Sequence, residues 1–292
     1  MCVTSAVNFF IMKRASIIVF LFLCCQDLLA QELNIMTFNI RLDLSSDSLN
    51  AWPYRKDKLA SQIIFHDADI VGVQEALNRQ MNDLDQLLKG YAYTGVGRED
   101  GKTKGEYSAI FYKTGRLELL SSSTFWLSET PVVPGSKSWD AAITRIVTWA
   151  KFRDKRTNKT FYHFNTHFDH IGKVARRESA RMILKAVDSI AGRSIAIITG
   201  DFNAHPQDEP IELIINKNDP LHLTDSKEVC MTPHYGPTGT FNAFGPKETT
   251  DDPIDYIFFN HDVKVLKHAT LSQSWQGRFS SDHFPVWARI SF

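Results

Sequence analysis

Cysteine is scarce in this chain, and its placement excludes a fold held together by disulfides. The 292 residues contain four cysteines, and three of them, Cys2, Cys24 and Cys25, lie near the N-terminus. Without that segment only Cys230 is left, so no internal disulfide can form. A chain of this length buries a core large enough to be stable without such a cross-link.

The chain also lacks a long apolar run of the kind that spans a membrane. The apolar run over residues 15–25 is shorter than the ~20 residues that a transmembrane helix needs. It follows Lys13 and Arg14, a pattern typical of a signal peptide. We therefore predict a signal peptide over residues 1–30, cleaved after Ala30, and a secreted or periplasmic bacterial protein without stable membrane insertion. Two alternatives stay open: a buried N-terminal element, and a form lipid-anchored on one of the cysteines of the run.

Neither sign of charge is in excess, and no repeat, low-complexity tract or Pro/Gly/Ser linker divides the chain. The sequence has 33 basic and 33 acidic residues, and loss of residues 1–30 leaves 31 and 32. Tight, sequence-independent binding to a nucleic-acid backbone requires a basic footprint, so neutrality counts against it. We predict one domain over residues 31–292, and we expect a monomer.

Strand and helix patterns are interspersed along this domain. Helical spacing of apolar residues covers residues 54–66, 81–88 and 173–191. Alternating or short apolar runs typical of strands cover residues 33–40, 69–75, 108–112, 117–126, 144–152, 161–167, 194–199, 254–259, 263–271 and 284–290. Several of these strands are adjacent and hairpin-like, which favours two stacked, mostly antiparallel sheets with outer helices over a doubly wound parallel sheet.

Polar side chains typical of metal and phosphate sites stand at the ends of these strands, where loops can bring them into one cleft. Each of them alone is a weak indication, because a single histidine or carboxylate at a strand end is more often structural. Six segments in one order are difficult to explain that way. Their polar residues are Asn39, Glu75, His167, Asp169, Asp201, Asn203, Asp255, Asp282 and His283.

Two of the segments are specific enough to indicate a family. Gly-Asp-Phe-Asn at 200–203 and Ser-Asp-His-Phe-Pro-Val at 281–286, together with the other four, resemble the endonuclease/exonuclease/phosphatase (deoxyribonuclease I-like) superfamily. The resemblance covers residues 31–292. It is to secreted bacterial members of the superfamily and, more distantly, to the deadenylase-like branch. It implies an α/β fold, a four-layer α/β/β/α sandwich with the site at one end of the sheets, and a metal-dependent phosphoric ester hydrolase.

The resemblance also implies a metal site. Glu75 would be the leading ligand of Mg²⁺ or Mn²⁺, with Asn39 and Asp282 on the same side, directly or through water. A hard cation neutralises the charge that repels a nucleophile from a phosphate ester, and it stabilises the leaving oxygen.

Catalytic roles follow from the same resemblance. Asp201 would orient or deprotonate the attacking water, and Asn203 would donate a hydrogen bond to a phosphoryl oxygen. Asp255 would fix His283 for acid/base or phosphate-stabilising work, because a carboxylate behind an imidazole sets its tautomer. His167 would contact a non-bridging oxygen. Whether Asp201 or His283 takes the proton stays open.

Five further residues are candidates with a structural alternative. Tyr107 would contact the phosphate or be a core tyrosine at a strand end; Arg145 would bind phosphate bidentately or lie on the surface. Asp169 would support His167, read the substrate or be a solvated loop residue. Trp126 and Trp139 flank a Trp-containing loop that would stack on bases or sugars, or be pinned to the core.

The sequence thus predicts the type of reaction but not the leaving group of the substrate. A phosphodiesterase or nuclease acting on nucleic acid or a small phosphodiester is the first hypothesis. A phosphomonoesterase for sugar or inositol phosphates is the second. A non-catalytic binding module on the same fold is the alternative of another class, and it predicts the loss of a metal ligand or of the histidine. Every such position is filled here.

Overall fold

The computed structural model describes residues 32–245, 252–261 and 263–292. The predicted signal peptide over residues 1–30 lies outside them. The strands are β1 (Glu32–Asn39), β2 (Ile70–Ala76), β3 (Tyr91–Thr94), β4 (Tyr107–Lys113), β5 (Leu117–Trp126), β6 (Ile146–Asp154), β7 (Thr160–His167), β8 (Ala196–Asp201), β9 (Thr224–Asp225), β10 (Asp255–Phe259), β11 (Lys264–Thr270), β12 (Ser274–Trp275), β13 (Arg278–Phe279) and β14 (Val286–Ser291). The α-helices are α1 (Lys56–Phe65), α2 (Asn78–Leu87), α3 (Lys173–Ala191) and α4 (Glu209–Ile215).

These strands form two six-stranded sheets. The first has the order β11-β14-β1-β2-β4-β3 and the second β5-β6-β7-β8-β10-β9, while β12 and β13 pair as a separate hairpin. Only the β1–β2 and β7–β8 pairs are parallel among the described strands. Each of these parallel pairs is connected by a helix, α1 or α3, because a parallel crossover cannot be made by a tight turn. The prediction of two mostly antiparallel sheets is confirmed.

Three apolar layers hold the sheets and helices together. β1 shows how the alternation of side chains divides between them: Leu33 and Ile35 enter the cluster between the sheets. Met36 and Phe38 point the other way, into the cluster beneath α1 and α2. The second sheet packs its outer face against α3 and α4, with Ile198 in that cluster. Helix, sheet, sheet and helix therefore form the four-layer sandwich that the resemblance implied.

A buried polar network joins the sheets in the middle of the sandwich. Asn165 on β7 donates from Nδ2 to the carbonyl oxygens of Val73 and Ala109 in the opposite sheet, at 2.9 Å each. Its Oδ1 accepts from Gln74 Nε2 at 2.7 Å and from Thr199 Oγ1 at 3.0 Å. Since buried polar groups must be paired to be tolerated, this network holds the two sheets in one position relative to each other.

None of the helices within the described ranges combines the length and the apolar character that a membrane span requires.

Candidate active site

The second sheet brings three of the predicted residues directly side by side. His167 ends β7, Asp201 ends β8 and Asp255 begins β10. In the sheet register Asp201 pairs with His167 on one side and with Asp255 on the other. β8 pairs in parallel with β7 and antiparallel with β10. This pairing therefore places three residues that are far apart in sequence in one row across the strand ends.

The first sheet supplies Asn39 at the end of β1 and Glu75 near the end of β2. The register between β2 and β4 shifts between Val73 and Ala76, so β2 contains an extra residue there. Glu75 has φ = 64°, a conformation that is costly for a residue with a side chain. Such bulges redirect a side chain out of the strand alternation. The carboxylate of Glu75 accepts from Asn39 Nδ2 at 3.1 Å and from the Leu42 N–H at 3.0 Å.

Asn39 also connects the two halves of the site. Its Nδ2 donates to Asp201 Oδ2 at 2.9 Å, across the gap between the sheets. The other oxygen of Asp201 accepts from the backbone N–H of Asn203 at 2.9 Å. Asn203, like Glu75, has positive φ (47°). Strained backbone at two site residues is the pattern expected where surrounding contacts hold functional groups in place.

His283 lies between two carboxylates. Its Nδ1 is 2.9 Å from Asp255 Oδ2, and its Nε2 is 3.8 Å from Asp201 Oδ2. Burial alone would lower the pKa of His283, but Asp255 and Asp201 outweigh it and raise that pKa, so the ring carries a proton at neutral pH. Burial and then the nearby Asp255 raise the pKa of Asp201 above its usual range.

His167 is held in the neutral form. Burial, followed by the charges of Arg145 and Arg98, lowers its pKa well below the ordinary value. Asn203 Nδ2 lies 3.0 Å from His167 Nε2 and 3.0 Å from the carbonyl oxygen of Phe168. That carbonyl can only accept, so Nδ2 is the donor, and Nε2 of His167 accepts from it.

Two sets of metal-ligating atoms are present. Glu75 and Asp282 are close enough that burial and then repulsion from Glu75 raise the pKa of Asp282. Burial would raise the pKa of Glu75 too, but the His283 charge and the N–H of Leu42 lower it overall. The second set is Asp201, Asp255 and His283, whose ligating atoms lie within 4.8 Å of one another. A buried Asp/Asp/His cluster of this kind could bind a metal ion.

Beside His167 lies a narrow, polar cavity. Arg145, 5% exposed, reaches it with Nε and NH1 that have no hydrogen-bond partner within the described part of the chain. Tyr107, the other candidate here, has its hydroxyl 3.0 Å from both Asn78 Oδ1 and the carbonyl oxygen of Lys102. The cavity is lined by Arg98, Glu106, Tyr107, Ser108, Arg145, Ile146 and His167. The expectation that Arg145 is close to the site fits this placement, whereas the surface alternative does not.

The other three candidate substrate contacts differ in their burial. Trp126 is 4% exposed, and its Nε1–H donates to the carbonyl oxygen of Arg98 at 2.6 Å, so it is pinned to the interior and offers no open stacking face. Asp169 is buried, and its carboxylate accepts from four backbone N–H groups, so it organises the loop and is not the solvated residue of the structural alternative. Trp139 is half-buried, with φ = 56°.

Sequence reasoning missed Arg98 and Glu106 as parts of the site. They lie in the turn between β3 and β4, which carries Gly95, Gly97, Gly101 and Gly105. Those glycines indicate a connection rich in turns beside Tyr107, and they were the available indication that this segment lies near the site. It identifies a turn, but it does not reveal where the arginine points.

The sequence matches the model of the endonuclease/exonuclease/phosphatase family over residues 36–283. The chain belongs to this family. The match includes every candidate site residue from Asn39 to His283, and the predicted family is confirmed.

Solved structures of the family resemble the chain closely. An endonuclease/exonuclease/phosphatase protein from Bacteroides vulgatus is 40% identical, with a TM-score of 0.85 over 90% of this chain and 99% of that one. A mannosyl-6-phosphatase from Bacteroides thetaiotaomicron is also 40% identical, with a TM-score of 0.84 over 89% and 100%.

The distant resemblance to the deadenylase-like branch is confirmed as well. The exoribonuclease subunit Ccr4 of the CCR4-Not complex of Saccharomyces cerevisiae is 22% identical over 83% of this chain. The chain spans only 35% of the length of Ccr4.

Proposed function

We propose that this family phosphoesterase is a divalent-metal-dependent phosphomonoesterase that acts on sugar phosphates. The observation that carries the proposal is the buried guanidinium of Arg145 beside His167, whose NH2 lies 3.2 Å from His170 Nδ1 while Nε and NH1 have no hydrogen-bond partner in the described part of the chain. An enclosed cation suits a compact terminal phosphate better than a continuous polymer backbone. The 40% identity with a mannosyl-6-phosphatase over nearly the whole chain supports the same substrate class.

The chain offers a suitable set of ligands for the metal. Half-buried Glu75 and buried Asp282 are carboxylates that repel each other, and the amide of Asn39 contacts Glu75. The Asp201–Asp255–His283 set fits less well, because Mg²⁺ and Mn²⁺ prefer oxygen ligands and this set includes an imidazole. Mg²⁺ or Mn²⁺ at the first set would neutralise phosphoryl charge and stabilise the leaving oxygen.

The remaining residues would position the water and the phosphate. Asp201 Oδ2 accepts from Asn39, and 3.8 Å separates it from His283 Nε2. In this proposal Asp201 would take the proton of an attacking water, while His283, held as a donor by Asp255, would stabilise phosphoryl oxygens. His167 and Asn203 orient each other and flank the same position.

A phosphodiesterase or nuclease is the second candidate. It is favoured by the deadenylase-like relatives and by half-buried Trp139, the one tryptophan of its loop still available for stacking. The balanced charge of the chain counts against long nucleic acids as substrates.

The test is hydrolysis of p-nitrophenyl phosphate, bis-p-nitrophenyl phosphate and mannose 6-phosphate with Mg²⁺, with Mn²⁺ and with EDTA. We expect EDTA-sensitive cleavage of the two monoesters that is lost in His283→Ala and kept in His261→Ala, an exposed histidine as control. Preferential cleavage of the diester would replace the proposal with the second candidate. Metal binding without any turnover would favour a non-catalytic module.

We also propose export through the N-terminal segment, on the support of the sequence pattern alone. Amino-terminal sequencing of protein from fractionated bacterial cells should begin at Gln31, in the periplasm or the medium. Intact Met1 or Met12 at the amino terminus in the cytoplasm would contradict export. A single species at about the mass of one chain in light scattering would support the predicted monomer.

A further inference from the structure

Beside His167, Nε and NH1 of Arg145 have no hydrogen-bond partner in the described part of the chain. The carboxylate closest to Arg145 is Asp169, 3.9 Å from Nε. Its oxygens are already taken by the backbone N–H groups of Ala142, Ile143, Ile171 and Gly172. A fully buried guanidinium with two unpaired nitrogens is costly, so the site is prepared for an anion from outside.

A second guanidinium, that of Arg98, lines the same cavity. The backbone holds it there: the N–H of Arg98 donates to the carbonyl oxygen of Glu106 at 3.1 Å, and its own carbonyl accepts from Trp126 Nε1. The side chain pairs with Glu106 through two contacts of 2.8 and 2.7 Å. This pair uses two of the five guanidinium N–H groups and leaves others for a ligand.

Glu106 is a bidentate counter-ion of Arg98, and its charge also acts on Arg145 across the cavity. The proximity of Arg98 also lowers the pKa of Arg145, after burial, which shows that the two cations repel each other across the cavity. A doubly charged anion placed between them would relieve that repulsion, whereas a singly charged one relieves less of it.

We propose that Arg98 is a specificity-determining residue which, together with Arg145, selects the dianionic terminal phosphate of a monoester over the monoanionic phosphate of a diester. The inference deepens the proposed function and rests on it for the reaction. A phosphate monoester has a second pKa of about 6 and is a dianion at pH 7. A diester carries one charge and a second substituent where the second arginine would bind.

The test compares Arg98→Gln with Arg153→Gln, a matched control whose exposed arginine pairs with Glu118 on the surface. In Arg98→Gln, kcat/KM for p-nitrophenyl phosphate should fall by about 10- to 100-fold, the loss of one charge-assisted contact. For bis-p-nitrophenyl phosphate it should change by less than about 3-fold. Arg153→Gln should leave both unchanged. Equal losses on both esters in Arg98→Gln would overturn the proposal.

Glu106→Gln separates recognition from a structural role of the ion pair. If Arg98 binds substrate, releasing it from the carboxylate keeps or lowers KM for the monoester. If the pair only holds the hairpin, Glu106→Gln weakens activity on both esters as Arg98→Gln does, and the proposal fails. Arg98→Lys, which keeps the charge, should be intermediate. Circular dichroism and urea midpoints establish that each variant is folded.

Binding of inorganic phosphate, measured by calorimetry at pH 8, tests the inference apart from turnover. Wild-type protein should bind it, and Arg98→Gln should bind it roughly 10-fold or more weakly. If the wild type binds phosphate through Arg98 but cleaves no monoester, the proposed function fails and the anion site stands. If monoesters are cleaved and Arg98→Gln binds phosphate as the wild type does, the function stands and this inference fails.

Discussion

Gly72→Ala should destabilise the protein more than its single added methyl group suggests. Gly72 lies on β2, facing the polar network between the sheets. A Cβ at this position would overlap the Thr199 hydroxyl oxygen and the Asn165 amide oxygen, and would lie 2.7 Å from Asn165 Cγ. Real Cβ atoms do not approach this closely, so both side chains would have to move.

The size of the effect follows from what holds those side chains. Overpacking a dense interior costs about 1–3 kcal/mol. Moving Asn165 also weakens its bonds to Gln74 and Thr199, each contributing about 1 kcal/mol. Replacing a strand glycine by alanine returns about 0.5–1 kcal/mol of chain entropy. We therefore expect a loss of about 3 kcal/mol in the free energy of unfolding.

Urea unfolding at pH 7, followed by tryptophan fluorescence and by circular dichroism, measures this loss. Gly115→Ala is the control, because a Cβ at Gly115 meets nothing within 4 Å. It should leave the unfolding midpoint unchanged or raise it slightly. A Gly72→Ala protein within about 0.5 kcal/mol of wild type, the range of ordinary surface substitutions, would refute the argument that the network fixes the two sheets.

Three further predictions concern pH, catalysis and metal. Burial lowers the pKa of His163 to about 3, so the folded state stays neutral where the unfolded chain binds a proton. Stability should fall as pH drops below 6.5, by about 1.4 kcal/mol per unit from this group. His163→Gln should remove that part of the slope in urea midpoints measured from pH 7 to 4, and an unchanged slope would contradict it. Asp255→Asn should lower kcat by about 100-fold or more, because His283 loses the carboxylate that holds its proton. The basic limb of the pH–rate profile should shift as well. A wild-type profile would remove Asp255 from the mechanism. Glu75→Ala should raise the Mg²⁺ or Mn²⁺ concentration for half-maximal activity by about 10-fold or more, and an unaltered metal titration would place the ion elsewhere.

Local sequence patterns were sufficient for most of the elements. The strand alternation at β1 and the 3.6-residue spacing of α3 are short-range properties, so both were predicted from the chain alone. The prediction missed β3 and α4 for the same reason. Tyr91–Thr94 is a strand of only four residues, all half-buried, and Glu209–Ile215 is a single short helix with proline near its start. Such elements depend on the neighbours they pack against.

The sequence by itself determined two mostly antiparallel sheets with outer helices, because strand and helix periodicity are local properties. Its two specific motifs determined the family, and the resemblance to that family implied the four-layer sandwich. Only the tertiary structure decided what each of the polar side chains at the strand ends contacts. The bulge that turns Glu75 into the site depends on the pairing of β2 with β4. Trp126 is buried against the carbonyl oxygen of Arg98 only when the two sheets stack. Contacts of this kind are set by long-range packing and by the pairing of buried polar groups, which no local pattern encodes.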